Sequence, residues 1–283
     1  MKEGIPLENR RFTALKIIIT VISLICALLF KSYIDWANLS NNYINMTLVK
    51  EILYDLSIGI FSAMVLVWFI DEIGSRIQER KSREKELNII ARFNKVILLY
   101  INQYIDLFYC TVTPLENRAP ENVKLTVDFT LKDMRDLYYP SARLNEKLYG
   151  ASVEAFLRVE HELREKFMHI IESHDFEHYP EISGTLLRFV EFSLTFDSRV
   201  AILDAYNKTL KSESDNEGQD IKMTTYIHDW LEKEADQYFQ KNLDKTNVIV
   251  NPLHFPYISL YQMMRHEREC ILQYLDEIKR LGI

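Results

Sequence analysis

The sequence predicts an all-α protein in which an N-terminal two-helix transmembrane hairpin precedes a cytosolic helical bundle. Two uncharged apolar runs lie near the N-terminus, Gly and Pro each occur only 7 times in 283 residues, and apolar residues recur at helical spacing through the remainder. Scarce Gly and Pro favour long helices, because these two residues mark most turns. The hydrophobic content of 48% excludes a disordered chain.

The first apolar run, Ile17–Phe30, lies between Lys16 and Lys31. As a helix, residues 14–34 would extend about 31 Å, which is enough to cross a hydrocarbon core of ~30 Å. A cleaved signal peptide is the alternative interpretation. The run lacks a convincing small-residue cleavage site, because Lys31, Tyr33 and other unsuitable residues follow it directly. We therefore expect a membrane span over residues 14–34.

The second apolar run, Leu56–Ile70, predicts a span over residues 53–72. A run of this length also suits a buried helix in a soluble protein. The neighbouring first run and the basic residues that follow favour the membrane interpretation. Lys and Arg are frequent on the N-terminal flank and after the second run, whereas the connecting loop has only Lys31 and Lys50. This asymmetry predicts that both termini are cytoplasmic, with an external loop over residues 33–50 and an inner (plasma) membrane location.

Small residues at four-residue spacing occur in both predicted spans: Ser23 with Ala27, and Gly59 with Ala63. Such pairs let helix backbones approach closely in lipid, where hydrophobicity alone does not drive helices together. Two interpretations stay open. The pairs pack within the hairpin, or they form a seam between copies of the chain in a homo-oligomer or pore.

A basic collar follows the second run and consists of Arg76, Arg80, Lys81, Arg83 and Lys85. Residues 76–95 contain seven basic and three acidic residues, whereas residues 96–283 contain 21 basic and 31 acidic residues. A cationic segment beside a span attracts anionic lipid headgroups, so the lipid bilayer is the expected partner. The acidic remainder repels a phosphate backbone, so we expect no direct nucleic-acid binding.

The sequence divides into the hairpin (1–74), a juxtamembrane helix that leads into the bundle (75–113) and a cytosolic helical domain (114–283). Residues 93–108 are apolar around almost the whole helix circumference, which predicts burial inside the bundle, and Pro114 predicts the helix end. Residues 123–129 are expected to form an extended connector and residues 211–220 a linker. Apolar periodicity predicts further helices over residues 131–139, 151–173, 181–210, 222–243 and 257–281.

One candidate metal site comprises His161, Glu165 and His169, which lie on one face of a predicted helix. Imidazole and carboxylate groups can hold a transition metal. A di-iron bundle, however, needs Glu-x-x-His motifs on two helices, and the chain has none. Nucleotide-binding and hydrolase motifs are also absent. We therefore expect no catalytic residues, no cofactor and no metal, and three widely separated reduced thiols at Cys26, Cys110 and Cys270.

The layout of Ile17–Phe30, Leu56–Ile70 and the basic segment 76–95 resembles that of bacterial two-transmembrane membrane effectors of anti-phage defence systems, including those encoded beside retrons. The resemblance covers about the first third of the chain. It implies that an inhibitory protein or nucleoprotein partner holds the cytosolic domain inactive. It also implies that release of this partner lets the spans permeabilise the inner membrane, which makes the protein a toxin rather than an enzyme.

Overall fold

The computed structural model describes residues 7–31, 46–125, 128–140, 150–210, 220–233, 235 and 251–283, with side chains from residue 15 in the first helix and from residue 48 in the second. The predicted all-α class is confirmed, because these residues are almost entirely helical. The chain forms two compact units, residues 1–84 and residues 85–283.

The first unit contains helix α1 (Leu7–Lys31) and the start of helix α2 (Met46–Val112). Within the described residues, α2 is the one helix long and apolar enough to cross a membrane. Its most apolar 18-residue window has a mean hydropathy of 1.9, and 6% of that window is buried. Crossing by α1 stays a prediction, and most of the predicted external loop lies outside the described residues.

Helix α2 is continuous over 67 residues and ends at Val112. Its end before Pro114 was predicted and is confirmed, because proline lacks the N–H group that a continuing helix needs. In the second unit one face of α2 is buried up to residue 106, where Leu99 on the other face is 63% exposed, and residues 107–112 are buried on all sides. The predicted burial of residues 93–108 in the bundle is therefore confirmed for one face, whereas the opposite face is exposed although it is apolar. From Ile97 to Leu107 the buried apolar residues recur at three- and four-residue steps: Ile97, Ile101, Tyr104 and Leu107.

In the described part of the second unit the further α-helices include α3 (Ser152–Ser173), α4 (Pro180–Thr195), α5 (Arg199–Ala205), α6 (Met223–Lys233) and α7 (Phe255–Leu281). The predicted helices 151–173 and 257–281 are confirmed. Short 3-10 helices span Leu115–Asn117, Pro120–Asn122 and Leu131–Asp136, and the last replaces the start of the predicted helix 131–139. The described part of 123–129 is not in a strand, and the predicted linker lies mostly outside the described residues.

Aromatic side chains fill the centre of the second unit. The ring of Phe156 on α3 lies 5.2 Å from that of Tyr104 on α2, measured between centroids. The ring of Phe167 on α3 lies 5.0 Å from that of Phe189 on α4, at nearly a right angle. Helix α4 packs against both α3 and α7. Edge-to-face contacts between rings add to the burial of their apolar area, so this cluster orients α3 and α4.

The predicted single helix 181–210 is wrong, because the chain breaks after Thr195 and restarts at Arg199. The Asp197 carboxylate accepts the backbone N–H of Arg199 at 3.0 Å, and the Ser198 hydroxyl donates to the Pro256 carbonyl at 2.9 Å. Short polar side chains compete in this way with continued helix hydrogen bonding. After α5, strands β1 (Thr209–Leu210) and β2 (Ile221–Lys222) pair antiparallel, and α6 follows β2 directly.

Candidate functional site

The first unit exposes large apolar side chains on both of its helices. Soluble proteins rarely expose contiguous apolar surface of this extent, and such surface marks contact with a membrane or a partner. On α1 the exposed residues are Leu15, Ile17, Ile18, Ile19, Val21, Ile22, Leu24, Ile25, Leu28 and Leu29. On α2 they include Leu48, Ile52, Leu56, Ile58, Ile60, Val65, Leu66, Val67, Trp68, Phe69 and Ile70.

Small residues occupy the interior of the first unit. Among its described side chains, over residues 15–31 and 48–84, only Ser23, Ala27 and Ser57 are buried. The hydroxyls of Ser23 and Ser57 donate to carbonyls of their own helices at 2.9 and 2.8 Å, so each polar group has a partner. A soluble protein buries its large apolar residues, whereas lipid-embedded helices place small residues where they meet.

An ion pair joins the two helices of the first unit. The Lys16 ammonium contacts the Asp71 carboxylate, at the start of the first apolar run and the end of the second. In two antiparallel helices the start of one lies beside the end of the other, so this contact fits an antiparallel pair. Both groups are partly exposed, so the pair defines the register of α1 against α2 more than it stabilises the unit.

The four small residues of the two predicted pairs lie in different environments. Ser23 and Ala27 are buried, whereas Gly59 and Ala63 are exposed. A Cβ atom added to Gly59 would meet nothing within 4 Å. Gly59 and Ala63 therefore do not pack within the described part of the hairpin. For this pair the seam between copies of the chain stays a prediction.

The basic collar lies on the continuous part of α2, and Arg76, Arg80, Lys81, Arg83 and Lys85 are all exposed. The Arg76 guanidinium pairs with Glu72 one turn earlier at 2.7 Å. Arg80, Lys81 and Lys85 form no ion pair with any carboxylate in the described part of the chain. Their charges are available to anionic headgroups at the end of the apolar run.

The predicted metal candidates face different surroundings. Nδ1 of His161 lies 2.6 Å from the Arg164 guanidinium, so this ring nitrogen already has a partner. Glu165 and His169 are exposed. The described residues instead bring together ligand atoms of His228, Asp229 and Glu232, all within 4.8 Å of one another on α6. Asp229 also lies 3.5 Å from the Lys233 ammonium, and both carboxylates are exposed, which is typical of a solvated helix face.

A buried polar cluster in the second unit was not predicted. It consists of the partly exposed Arg199 and five buried residues, Tyr104, Glu160, Arg164, Ser193 and Glu267, which together come from α2, α3, α4, α5 and α7. Neither Glu160 nor Glu267 has exposed surface. The sequence signal was weak, because each residue is one polar position on an otherwise amphipathic helix. The break before Arg199 belongs to this cluster, because it directs the Arg199 guanidinium towards Glu160.

Hydrogen bonds within the cluster connect its carboxylates to donors on neighbouring helices. One oxygen of the Glu160 carboxylate accepts a hydrogen bond from the Arg199 guanidinium at 2.7 Å, and the other accepts one from the Ser193 hydroxyl. The Arg164 guanidinium donates to the same Ser193 hydroxyl at 3.1 Å. The Tyr104 hydroxyl donates to Glu267 at 2.8 Å. The Glu160 charge is compensated by the Arg199 guanidinium, whereas Glu267 Oε1 and the Nε atoms of Arg164 and Arg199 have no hydrogen-bond partner among the described residues.

The position of Glu267 favours its protonated form. Burial raises the pKa of Glu267 well above its ordinary value, and the neighbouring Glu160 charge raises it further, while the Tyr104 hydrogen bond opposes the shift. Burial, followed by the charge of Glu267, raises the pKa of the Tyr104 hydroxyl as well. Two carboxylates close together in a dry site share a proton more readily than they both ionise.

Comparison with known proteins does not show a family for this chain. No protein-family model, curated protein or solved structure matches the chain. Two features of the chain itself bear on its function: the first unit has an apolar exterior with a small-residue interior, and the second has a buried polar cluster.

Glu267→Gln is expected to flatten the pH dependence of folding stability. Above about pH 4.5 the unfolded Glu267 loses its proton while the folded one keeps it, so stability falls as pH rises towards the raised pKa. Gln keeps an acceptor for Tyr104 and does not titrate. Denaturant unfolding of the full chain in detergent micelles, from about pH 5 to pH 8, measures the slope. The exposed Glu269→Gln is the control, and an unchanged slope for Glu267→Gln would exclude this assignment.

Proposed function

We propose that this protein is a membrane-anchored effector whose cytosolic helical domain controls permeabilisation of the inner membrane by the two-span hairpin. Its biological role would be bacterial anti-phage defence. The observation that carries the proposal is the inverted burial of the first unit, where small residues lie inside and large apolar residues outside. Water does not favour that arrangement, whereas a bilayer does.

The continuous helix α2 supports control of the spans by the cytosolic domain. Its residues 48–70 expose the apolar surface, and its residues 90–108 contribute to the core of the second unit. The described residues contain no Pro or break between these two segments. A rearrangement of the core that moves α2 is therefore transmitted along hydrogen-bonded helix rather than through a flexible linker.

The exposed Gly59–Ala63 pair supports assembly of several copies in the membrane. Close approach of helix backbones at small residues is a common way for transmembrane helices to associate. A homo-oligomer built on this face would place several α2 helices around one axis. The inhibitory protein or nucleoprotein partner implied by the resemblance would act on the acidic second unit and prevent this assembly.

A second candidate function is a membrane-tethered interaction domain without pore activity. The partly exposed Lys16–Asp71 pair and the basic collar suit a simple anchor equally well. Scrambling residues 56–70 at constant composition separates the two candidates. A tether keeps its function after scrambling, whereas a permeabilising hairpin loses it.

Expression of the full-length protein in bacteria, without its inhibitory partner, tests the proposal. We expect loss of membrane potential and entry of a normally excluded dye, with the protein in the membrane pellet after ultracentrifugation without detergent. Leu66→Arg is the control, because Arg at the centre of a span costs ~2.5–3.5 kcal/mol on insertion. Intact potential at high expression, with the protein in the pellet, would contradict permeabilisation and favour the tether. Protein in the supernatant would contradict both.

A further inference from the structure

A groove in the second unit, which we call the tyrosine groove, is lined by Arg135, Tyr138, Tyr139, Tyr206, Lys222 and His228. Its volume is about 360 Å³. A neighbouring cavity of about 200 Å³ shares Tyr138 and Tyr206 with it. Ligand sites for small molecules usually have ~300–1,000 Å³, so the two together have the size of a small-molecule site.

Aromatic rings form the walls where the two cavities meet. The rings of Tyr138 and Tyr206 lie 6.1 Å apart between centroids, tilted by 48°. The Tyr138 hydroxyl is held by the Ile202 carbonyl at 2.9 Å and by the Tyr257 hydroxyl at 2.6 Å, so its ring is fixed. Tyr206 is 54% exposed and Tyr139 is 48% exposed, which leaves ring surface open to a ligand. Exposed aromatic faces of this kind stack against planar heterocycles.

The smaller cavity combines an apolar floor with polar edges. Ala151, Val153 and Leu203 supply the apolar surface, while Glu154 and Asn207 supply a carboxylate and an amide. A carboxylate accepts hydrogen bonds, and an amide both accepts and donates them. A planar ring with amino or carbonyl groups on its edge matches these partners.

The larger cavity has a cationic outer end. Lys222, at the end of β2, is exposed and lies within ion-pair distance of no carboxylate in the described ranges. The hydroxyls of Thr224 and Thr225, in the first turn of α6, line the same end. His228 is held by Asp136, whose carboxylate lies 3.3 Å from Nε2, and Arg135 is paired with Glu116. Lys222 therefore offers an exposed ammonium group to an anion at this end of the groove.

We propose that the tyrosine groove binds a nucleoside monophosphate, with its base against the exposed ring of Tyr206 and its phosphate at Lys222 and Thr225. The exposed ring suits the base, the polar edges suit its ring substituents, and the Lys222 ammonium suits its phosphate. This binding activity goes beyond the proposed membrane function and does not depend on it. It assigns the second unit a small-molecule site that no sequence motif indicated.

Calorimetry on the full-length protein in detergent tests the site, with AMP, GMP, CMP and UMP as probes. Adenosine and inorganic phosphate serve as half-ligands. We expect at least one nucleotide to bind with a Kd below about 1 mM, and each half-ligand to bind at least about tenfold more weakly. Tyr206→Ala and Lys222→Gln should each weaken nucleotide binding at least about tenfold. Lys132→Gln is the control, because Lys132 is exposed on the Leu131–Asp136 helix and does not line the groove.

Three results would overturn the proposal. The first is the absence of binding by all four nucleotides at about 5 mM. The second is binding of inorganic phosphate as tight as that of the nucleotides, because the rings would then contribute nothing. The third is unchanged nucleotide affinity in both groove variants, with thermal unfolding showing that they are folded. None of these results depends on membrane permeabilisation, so the proposed function is tested separately.

Discussion

Arg199→Ala is expected to lower the free energy of unfolding of the protein by about 3–5 kcal/mol. The Glu160 carboxylate has no exposed surface and accepts a hydrogen bond from the Arg199 guanidinium at 2.7 Å. Removal of the guanidinium leaves a buried charge whose remaining hydrogen bond comes from the Ser193 hydroxyl. Breaking a buried ion pair costs more than the pair contributes, because the remaining ion stays desolvated.

The double variant Arg199→Ala/Glu160→Gln separates loss of charge compensation from loss of packing. Gln removes the uncompensated charge and keeps a group that accepts from Ser193, so the double variant should recover most of the lost stability. Arg158→Ala is the matched control, because Arg158 is an exposed arginine on α3 and should change stability by less than about 0.5 kcal/mol. Denaturant unfolding in micelles measures all three. A double variant as unstable as Arg199→Ala would show that packing, not charge, dominates.

The sequence predicted the long helices of this protein because their signals are local. The apolar residues of α3 and α7 recur at helical spacing over many turns, and Pro114 marks the end of α2 through its own chemistry. The break between α4 and α5 was not predictable, because residues 181–210 keep helical periodicity across it. The break depends on the Asp197 side chain and on a bond from Ser198 to Pro256, more than 50 residues away.

The candidate sites were harder to predict than the helices. Glu160 and Glu267 lie on charged helices where most carboxylates face water, and only the tertiary arrangement shows that these two do not. The tyrosine groove and its neighbouring cavity likewise join residues from four segments of the chain. In the predicted spans, spacing identified the small residues but could not show which of them are buried. Among the described residues of the first unit, Ser57 on α2 is buried, whereas Gly59 is exposed.

Gly59→Leu is expected to reduce dye entry into expressing cells at least about tenfold if copies of the chain meet at this face. A Cβ atom added at Gly59 meets nothing within 4 Å in the described part of the chain beyond the backbone of its own helix, so we expect the hairpin itself not to change. Between copies, the same side chain would hold two backbones apart and remove the close packing on which helices rely in lipid. Permeabilisation would then be lost while the protein stays in the membrane pellet.

Two further variants make this result specific. Val65→Leu enlarges another exposed residue of the same apolar run and should leave dye entry unchanged. Ala27→Leu adds its bulk in the buried contact of α1 and should reduce activity by distorting the hairpin, without removing contacts between copies. Chemical crosslinking in membranes distinguishes the two causes, because only Gly59→Leu should reduce crosslinked oligomers. Unchanged dye entry and crosslinking in Gly59→Leu would exclude the seam, and the exposed small pair would then be ordinary lipid-facing surface.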